Sequence, residues 1–247
     1  MQRSELSWSA GSVPFLFDER AEEFGVTVAF SGRRGGVSGA PFDSLNLSTF
    51  IGDDPEAVAE NRAVLASAAV FDVGTLTLVK QVHGSVVLNA DGAPAVAGEA
   101  DGLWAEVPGA TLGVLTADCV PVLMKGVRGI AAVHAGWRGV VAGVIEAAAK
   151  KVGTLEAAWV GPSIQACCYE VGSDVLDAFK ARDLPVAENR DDGHGRVAPG
   201  RAATVILHRL GAPYLSQSSI CTSCDPGFFS FRRDGVTGRQ GGFIFFL

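Results

Sequence analysis

Three apolar runs, Thr111–Thr116, Val120–Met124 and Gly129–His134, follow one another with only short breaks between them. Each has strand length and β-branched content, and each is bounded by Gly, Pro or Asp, so this stretch must build sheet. Ala157–Val160 reads as a buried strand, and Gly25–Ser31, Leu76–His83, Ser85–Asn89, Ser218–Thr222 and Phe243–Leu247 also read as strands. Helical spacing of apolar residues predicts helices over Arg138–Val152, Ser173–Ala181 and Ala202–Leu210. A further helix opens at Asp54-Pro55-Glu56, where Asp54 can cap and Pro55 suits the first helical position. Strands and helices alternate irregularly, which favours a mixed sheet with helices outside over a regular parallel barrel. The polar run Glu188–Gly200 is the candidate for a mobile excursion.

With 48% hydrophobic and 19% charged residues, the 247-residue chain is not disordered. Twenty basic against 27 acidic side chains leave a net charge of −7, which disfavours an electrostatic nucleic-acid binder but leaves room for a local basic pocket. Met1–Phe17 lacks the apolar stretch of a secretory signal, and no run reaches the roughly 18 apolar residues of a membrane span. Five cysteines, an odd and modest number, do not read as a secreted disulfide framework. A cytoplasmic chain with reduced thiols is expected.

Only four histidines are present. His83 and His134 lie at strand ends followed by glycine or small residues, and Cys119 lies between them in Thr116-Ala117-Asp118-Cys119-Val120-Pro121. Two imidazoles and a thiolate leave a fourth zinc position open, the pattern of a catalytic site. A hairpin with its turn at Gly126–Val127 would set Cys119 opposite His134, with Cβ atoms about 4.5–5.5 Å apart. The alternative is a buried cysteine with two hydrogen-bonded histidines. Asp118 can act as acid or base, or cap its turn. Cys221-x-x-Cys224 and the adjacent pair Cys167-Cys168 have the donors for a structural zinc. Adjacent cysteines seldom share one ion comfortably, so these four read as small buried hydrophobes. Arginines beside glycines, Arg33-Arg34-Gly35-Gly36, Arg138, Arg232-Arg233 and Arg239, are candidates for anion contacts.

The motifs Phe30-Ser31-x-Arg33-x-Gly35-Gly36, Ser44-Leu45-Asn46-Leu47, Gln81-Val82-His83-Gly84, Ala100-Asp101-Gly102, Ala117-Asp118-Cys119 and His134-Ala135-Gly136-Trp137-Arg138-Gly139 together resemble the YfiH family. Cys167-Cys168-Tyr169-Glu170-Val171-Gly172 and the tail Phe228-Phe229-Ser230 to Gly238-Arg239-Gln240 extend the resemblance over almost the whole chain. It implies one YfiH-like catalytic domain over 1–247 with an α+β fold of mixed β-sheets layered with α-helices, and a zinc-dependent purine nucleoside phosphorylase with adenosine deaminase side activity. His83, Cys119 and His134 would be the metal ligands and, with Asp118, the catalytic set. Arg33, Asn46, Arg138 and Arg239 would contact substrate. Purine nucleosides and phosphate are the implied partners, with no nucleic acid, membrane or obligate protein partner.

The family was first labelled a multicopper polyphenol oxidase, so copper and a laccase-like activity stand as the alternative. A cysteine hydrolase using Cys119 and His134 is a third reading. Copper sites of this type want an axial Met, and coupled coppers want many more histidines than four. The chain departs from the family pattern at Gly32, Ser48, Phe50 and Phe231, where Thr, Gly, His and Tyr are usual. The Ser48 loop often touches substrate in the family, so the preferred nucleoside stays open.

Overall fold

The structure is a computed structural model that describes residues 6–247 and the backbone of 2–4. Met1 and the start of the Met1–Phe17 segment lie outside the described side chains. In chain order the elements are β1 (Gln2–Ser4), β2 (Ser7–Trp8), β3 (Phe15–Phe17), β4 (Val26–Ser31), α1 (Pro55–Ala69), β5 (Leu76–Lys80), β6 (Val87–Asn89), β7 (Val96–Glu99) and β8 (Gly102–Ala105). They continue with β9 (Thr111–Thr116), β10 (Val120–Gly126), β11 (Gly129–Ala135), α2 (Trp137–Ala142), α3 (Val144–Val152), β12 (Leu155–Val160), β13 (Glu170–Gly172) and α4 (Ser173–Ala181). β14 (Val186–Asn189), β15 (His194–Val197), α5 (Pro199–Arg209), β16 (Tyr214–Gln217), α6 (Phe231–Asp234) and β17 (Gln240–Phe246) complete the chain.

The strands form two seven-stranded mixed sheets, ordered β1-β16-β12-β10-β11-β8-β6 and β2-β3-β4-β17-β9-β5-β7, and a small sheet β13-β15-β14. Side-chain alternation on the central strands explains how they stack. On β10, Val120, Val122 and Met124 pack with Val144, Ile145 and Leu207 of α3 and α5. Leu123, between them, turns the other way and packs with Val28, Val114 and Ile244 of the second sheet. On the far side of that sheet, Leu65 of α1 covers Leu78, Leu115 and Phe243. The layers are therefore helices, sheet, sheet, helix. The central strands are buried on both faces, so β10 and β11 are apolar but for Lys125 and His134 rather than alternating with polar residues. The expected α+β class of mixed sheets layered with helices is what forms.

Several local expectations are corrected. The helix over Arg138–Val152 is two helices, because Gly143 at φ +86° closes α2 with bonds from its N–H to Gly139 and Val140. Ser218–Thr222 is not a strand. The pairing falls on Tyr214–Gln217, and Cys221 makes only an isolated bridge with Ser163. The Leu76–His83 strand stops at Lys80, and the Ser85–Asn89 strand is confined to Val87–Asn89. Glu188–Gly200 is not a loose excursion. It supplies most of the β14–β15 hairpin and the first turn of α5. Its polarity misled because alternate residues are enough to bury: Val197 is fully buried, and Gly195 lies against Leu176 of α4. Ion pairs Arg190–Glu170 and Arg196–Glu188 cross the outer face.

Among the described residues, no helix is long and apolar enough to cross a membrane.

Candidate active site

β9 belongs to one large sheet and β10 to the other, and the chain crosses between them in three residues, Ala117-Asp118-Cys119. So short a crossing forces Asp118 to φ +94°, a strained value for a residue with a side chain. It leaves Cys119 half-buried just before β10. His134, from β11, ends beside it. His83 comes from the loop after β5, also with a left-handed backbone, at φ +60°. The donor atoms of His83, Cys119 and His134 lie within 4.8 Å of one another. The two imidazole rings are 4.9 Å apart and nearly perpendicular, at 87°.

The route by which Cys119 reaches His134 differs from the expected one. The β10–β11 turn is centred on Val127–Arg128, so Pro121 faces His134 and Val120 faces Ala135. Cys119 lies beyond the ladder and approaches His134 diagonally from the crossing loop.

Asp101, fully buried before β8, organises both histidines. Its Oδ1 lies 2.8 Å from His134 Nδ1 and accepts the His83 backbone N–H at 2.9 Å. Its Oδ2 accepts the Gly84 N–H at 2.6 Å. Burial works against its charge, yet the bonds from His134 and from the Gly84 and His83 N–H groups hold its carboxyl below the usual range. With Nδ1 committed to Asp101, His134 turns Nε2 towards the thiol, as metal-bound imidazoles do. Gly136 completes the nest: a Cβ there would come 3.1 Å from His83 Cδ2 and 3.2 Å from Cys119 Sγ. Burial alone would raise the Cys119 thiol, but the neighbouring His134 charge and bonds from both histidines hold it down at about 6. Burial would lower His134, but the Cys119 thiolate and the Asp101 bond push it up to about 9. Two nitrogens and a thiolate in reach of one point, with an imidazole locked by a carboxylate, fit zinc with a position left open.

These residues floor a cleft of about 670 Å³. Four basic side chains line it, Lys80, Arg138, Arg232 and Arg239, against one acidic residue, Asp118. This reverses the sign of the chain as a whole. Arg138 stacks on Trp137 with its guanidinium 4.4 Å from the ring, exposed, with no hydrogen bond or ion pair among the described residues. Arg239 is held by the Thr237 and Gly238 carbonyls, and desolvation lowers its affinity for its proton. Lys80 is paired with Glu99, and Arg232 bonds the Glu170 carbonyl.

Two of the expected substrate contacts do not line this cleft. Arg33 bonds the Asp43 carbonyl and carboxylate, stacks on Phe229 and faces a different hollow. Asn46 is fully buried. It donates to the Ser48 carbonyl and accepts the Ser48 and Arg239 N–H groups, so it positions two lining residues. Both oxygens of Asp118 accept hydrogen bonds, from Thr222 Oγ1 and the Arg232 N–H, each at 2.7 Å. Its turn-holding reading therefore has partners.

Three of the four departures from the family pattern, Ser48, Phe50 and Phe231, face the cleft, and both Phe rings are more than half exposed. Sequence reasoning did not single out Tyr169 or Gln81, which also line it. Gln81 is fixed by bonds to both the Leu115 carbonyl and N–H. Desolvation pushes the Tyr169 hydroxyl up to about 12. Asp101 sat in a quoted motif, but nothing local marked it as the histidines' anchor.

Of the four remaining cysteines, expected to be buried, only Cys221 is, and Cys168 is half-buried. Cys167 and Cys224 are exposed, and all four meet in one cluster away from the cleft. His194 and His208 are exposed on β15 and α5. Met124 is fully buried in the core between sheet and helices, and Met1 lies outside the described residues, so no axial Met is shown for a blue-copper arrangement.

Residues 27–247 match the family model described as "Multi-copper polyphenol oxidoreductase laccase". The protein named purine nucleoside phosphorylase YfiH from Shigella flexneri is 40% identical over 233 residues, 90% of this chain and 95% of that protein. A Deinococcus radiodurans protein named purine nucleoside phosphorylase is 38% identical over 94% of this chain and 92% of its own length. Among solved structures, Bacillus licheniformis hypothetical protein YfiH superposes with a TM-score of 0.87 at 28% identity, covering 97% of this chain and 99% of its own. Site motifs, fold and these likenesses agree: the chain belongs to the YfiH family.

Proposed function

We propose that this protein is a zinc-dependent purine nucleoside phosphorylase with adenosine deaminase side activity, its catalytic domain spanning 1–247. The observation that carries this reading is one cleft holding both a three-donor metal set with an open position and an unpaired guanidinium, Arg138. The relatives named as purine nucleoside phosphorylases support the same reaction class. His83, Cys119 and His134 would hold the zinc, which when bound supplies a Lewis acid in a partly dry cleft. Arg138 and Arg239 would hold phosphate against C1′ of the ribose, where cationic character builds as the base leaves. Phe50 and Phe231 offer bare rings for the purine. In the deaminase reaction water would add instead at C6 of the purine, and the 6-amino group would leave as ammonia, turning adenosine into inosine.

Without metal, Asp101, His134 and Cys119 have the order of a nucleophilic triad, the hydrolase reading. The third donor, His83, turned onto the same point, favours the metal. The copper oxidase reading lacks the histidines for coupled coppers.

The test is turnover by zinc-loaded protein of adenosine, inosine, guanosine and methylthioadenosine, with and without phosphate. Free base and ribose 1-phosphate (or its methylthio analogue), formed only with phosphate, are expected. No turnover of any nucleoside, with phenol oxidation on adding copper, would reverse the reading.

A further inference from the structure

Cys167 and Cys168 lie in one loop and Cys221 and Cys224 in another, joined by the isolated bridge between Ser163 and Cys221. All four sulfurs lie within 4.8 Å of one another, with Cys168 to Cys224 at 3.2 Å and Cys167 to Cys224 at 3.6 Å. A tetrahedron of thiolates around zinc, at about 2.3 Å per bond, has edges of about 3.8 Å. The cluster is already that size, and none of its sulfurs is bonded to another.

The objection to adjacent cysteines holds for extended chain, where neighbours point to opposite faces. Here the N–H groups of Cys168 and Tyr169 both bond the Gln165 carbonyl at 3.0 Å, so the segment curls as a helical turn. On the other side, the N–H groups of Cys224 and Asp225 bond the Cys221 carbonyl, which brings Cys221 and Cys224 round to one side. A second observation points to a ligand. The Gln165 N–H of the first loop is aimed at Cys221 Sγ of the second, 3.4 Å away, the kind of bond that steadies a metal-bound thiolate. Three guanidinium groups surround the pair of loops. Arg196 bonds the Cys167 carbonyl, Arg232 the Glu170 carbonyl and Arg233 the Thr222 carbonyl, each at 3.0 Å. Zinc with four thiolates carries a net charge of −2, and these cations offset it.

We propose that Cys167, Cys168, Cys221 and Cys224 bind a structural zinc ion, separate from the His83, Cys119 and His134 set. Its place in the fold gives it a task. The first loop runs directly into Tyr169 on the cleft wall. The second carries Thr222, whose hydroxyl holds Asp118. The ion ties together the two loops that frame one side of the cleft.

Zinc content of protein produced in zinc-supplemented medium tests this, with wild type, Cys119→Ala and Cys224→Ser compared. About two ions per chain are expected in wild type and about one in each variant. Cobalt-loaded Cys119→Ala should keep the intense absorption of cobalt bound by several thiolates, and cobalt-loaded Cys224→Ser should keep only the weaker band of the single Cys119 thiolate. Should Cys224→Ser not fold, titration of wild type with an organomercurial answers the same question. Release of one zinc in step with modification of four thiols supports the site. A wild-type content of one zinc, lost in Cys119→Ala, overturns it. So does a mass lower by the hydrogens of one or two disulfides, or iron in place of zinc at these thiols.

Discussion

The Asp101 carboxylate lies 2.8 Å from His134 Nδ1 and, through the same oxygen, takes the backbone N–H of His83 at 2.9 Å. One buried side chain thus sets the tautomer of one proposed ligand and the loop conformation of another. Asp101→Asn keeps the shape but removes the charge that favours a donor at Nδ1. Zinc affinity of the cleft site, read by competition with a chromophoric chelator, should fall about 10- to 100-fold. An unchanged affinity in a folded variant would mean that Asp101 only braces the loop.

Metal loading should depend on pH with a defined slope. In the metal-free protein His134, raised to about 9, carries a proton that zinc must displace, whereas Cys119, lowered to about 6, is already thiolate above that value. Affinity should therefore rise about tenfold per pH unit between 6 and 9, with about one proton released. Below 6 the slope should steepen, because the thiol then holds a proton too; above 9 it should flatten. Calorimetry in buffers of different ionisation enthalpy counts the protons, and a flat profile from 6 to 9 would contradict the imidazolium–thiolate pair.

Arg138→Ala removes a guanidinium that stacks on Trp137 but has no hydrogen-bond or ion-pair partner among the described residues. Losing one charge-assisted contact to phosphate costs about 1.5–3 kcal/mol. Phosphorolysis at limiting phosphate should drop roughly 10- to 150-fold. Deamination uses water and should drop less. Equal losses in both activities, with zinc still bound, would remove Arg138 from phosphate binding.

Gly136→Ala meets no backbone strain, since its φ is −66°, but the added methyl presses on His83 and Cys119 at 3.1 and 3.2 Å. The methyl displaces both ligand side chains by a few tenths of an ångström from their shared point, so zinc affinity should fall by about tenfold or more while melting of the metal-free protein shifts little. Full affinity would show that the ligands can yield.

Phe231→Ala should lower kcat/KM for nucleosides, mainly through KM. Stacking on a base is worth about 1–3 kcal/mol, or roughly 5- to 150-fold. Steady-state kinetics on two purines measures it, and an unchanged KM would place the base elsewhere in the cleft.

Strand positions from Thr111 to Ala135 were legible because apolar runs broken by Asp, Gly and Pro leave few alternatives. α4 was legible from its spacing alone. Register was not: a turn displaced by one residue moved the partner of His134 from Cys119 to Pro121. Where a polar stretch needs only alternate residues to bury, as in Glu188–Gly200, composition points the wrong way.

By itself the sequence determined the layered α+β class and singled out His83, Cys119 and His134, since scarce residue types at strand ends carry their chemistry with them. It did not determine which side chains would meet. Asp101 anchors His134 across 33 residues, and Cys168 meets Cys224 across 56. Arg33 turned away from the cleft to Asp43 and Phe229, while Phe50 and Phe231 turned onto it. Propensity and periodicity act over a few residues, whereas these encounters depend on how two buried sheets stack and where the chain crosses between them.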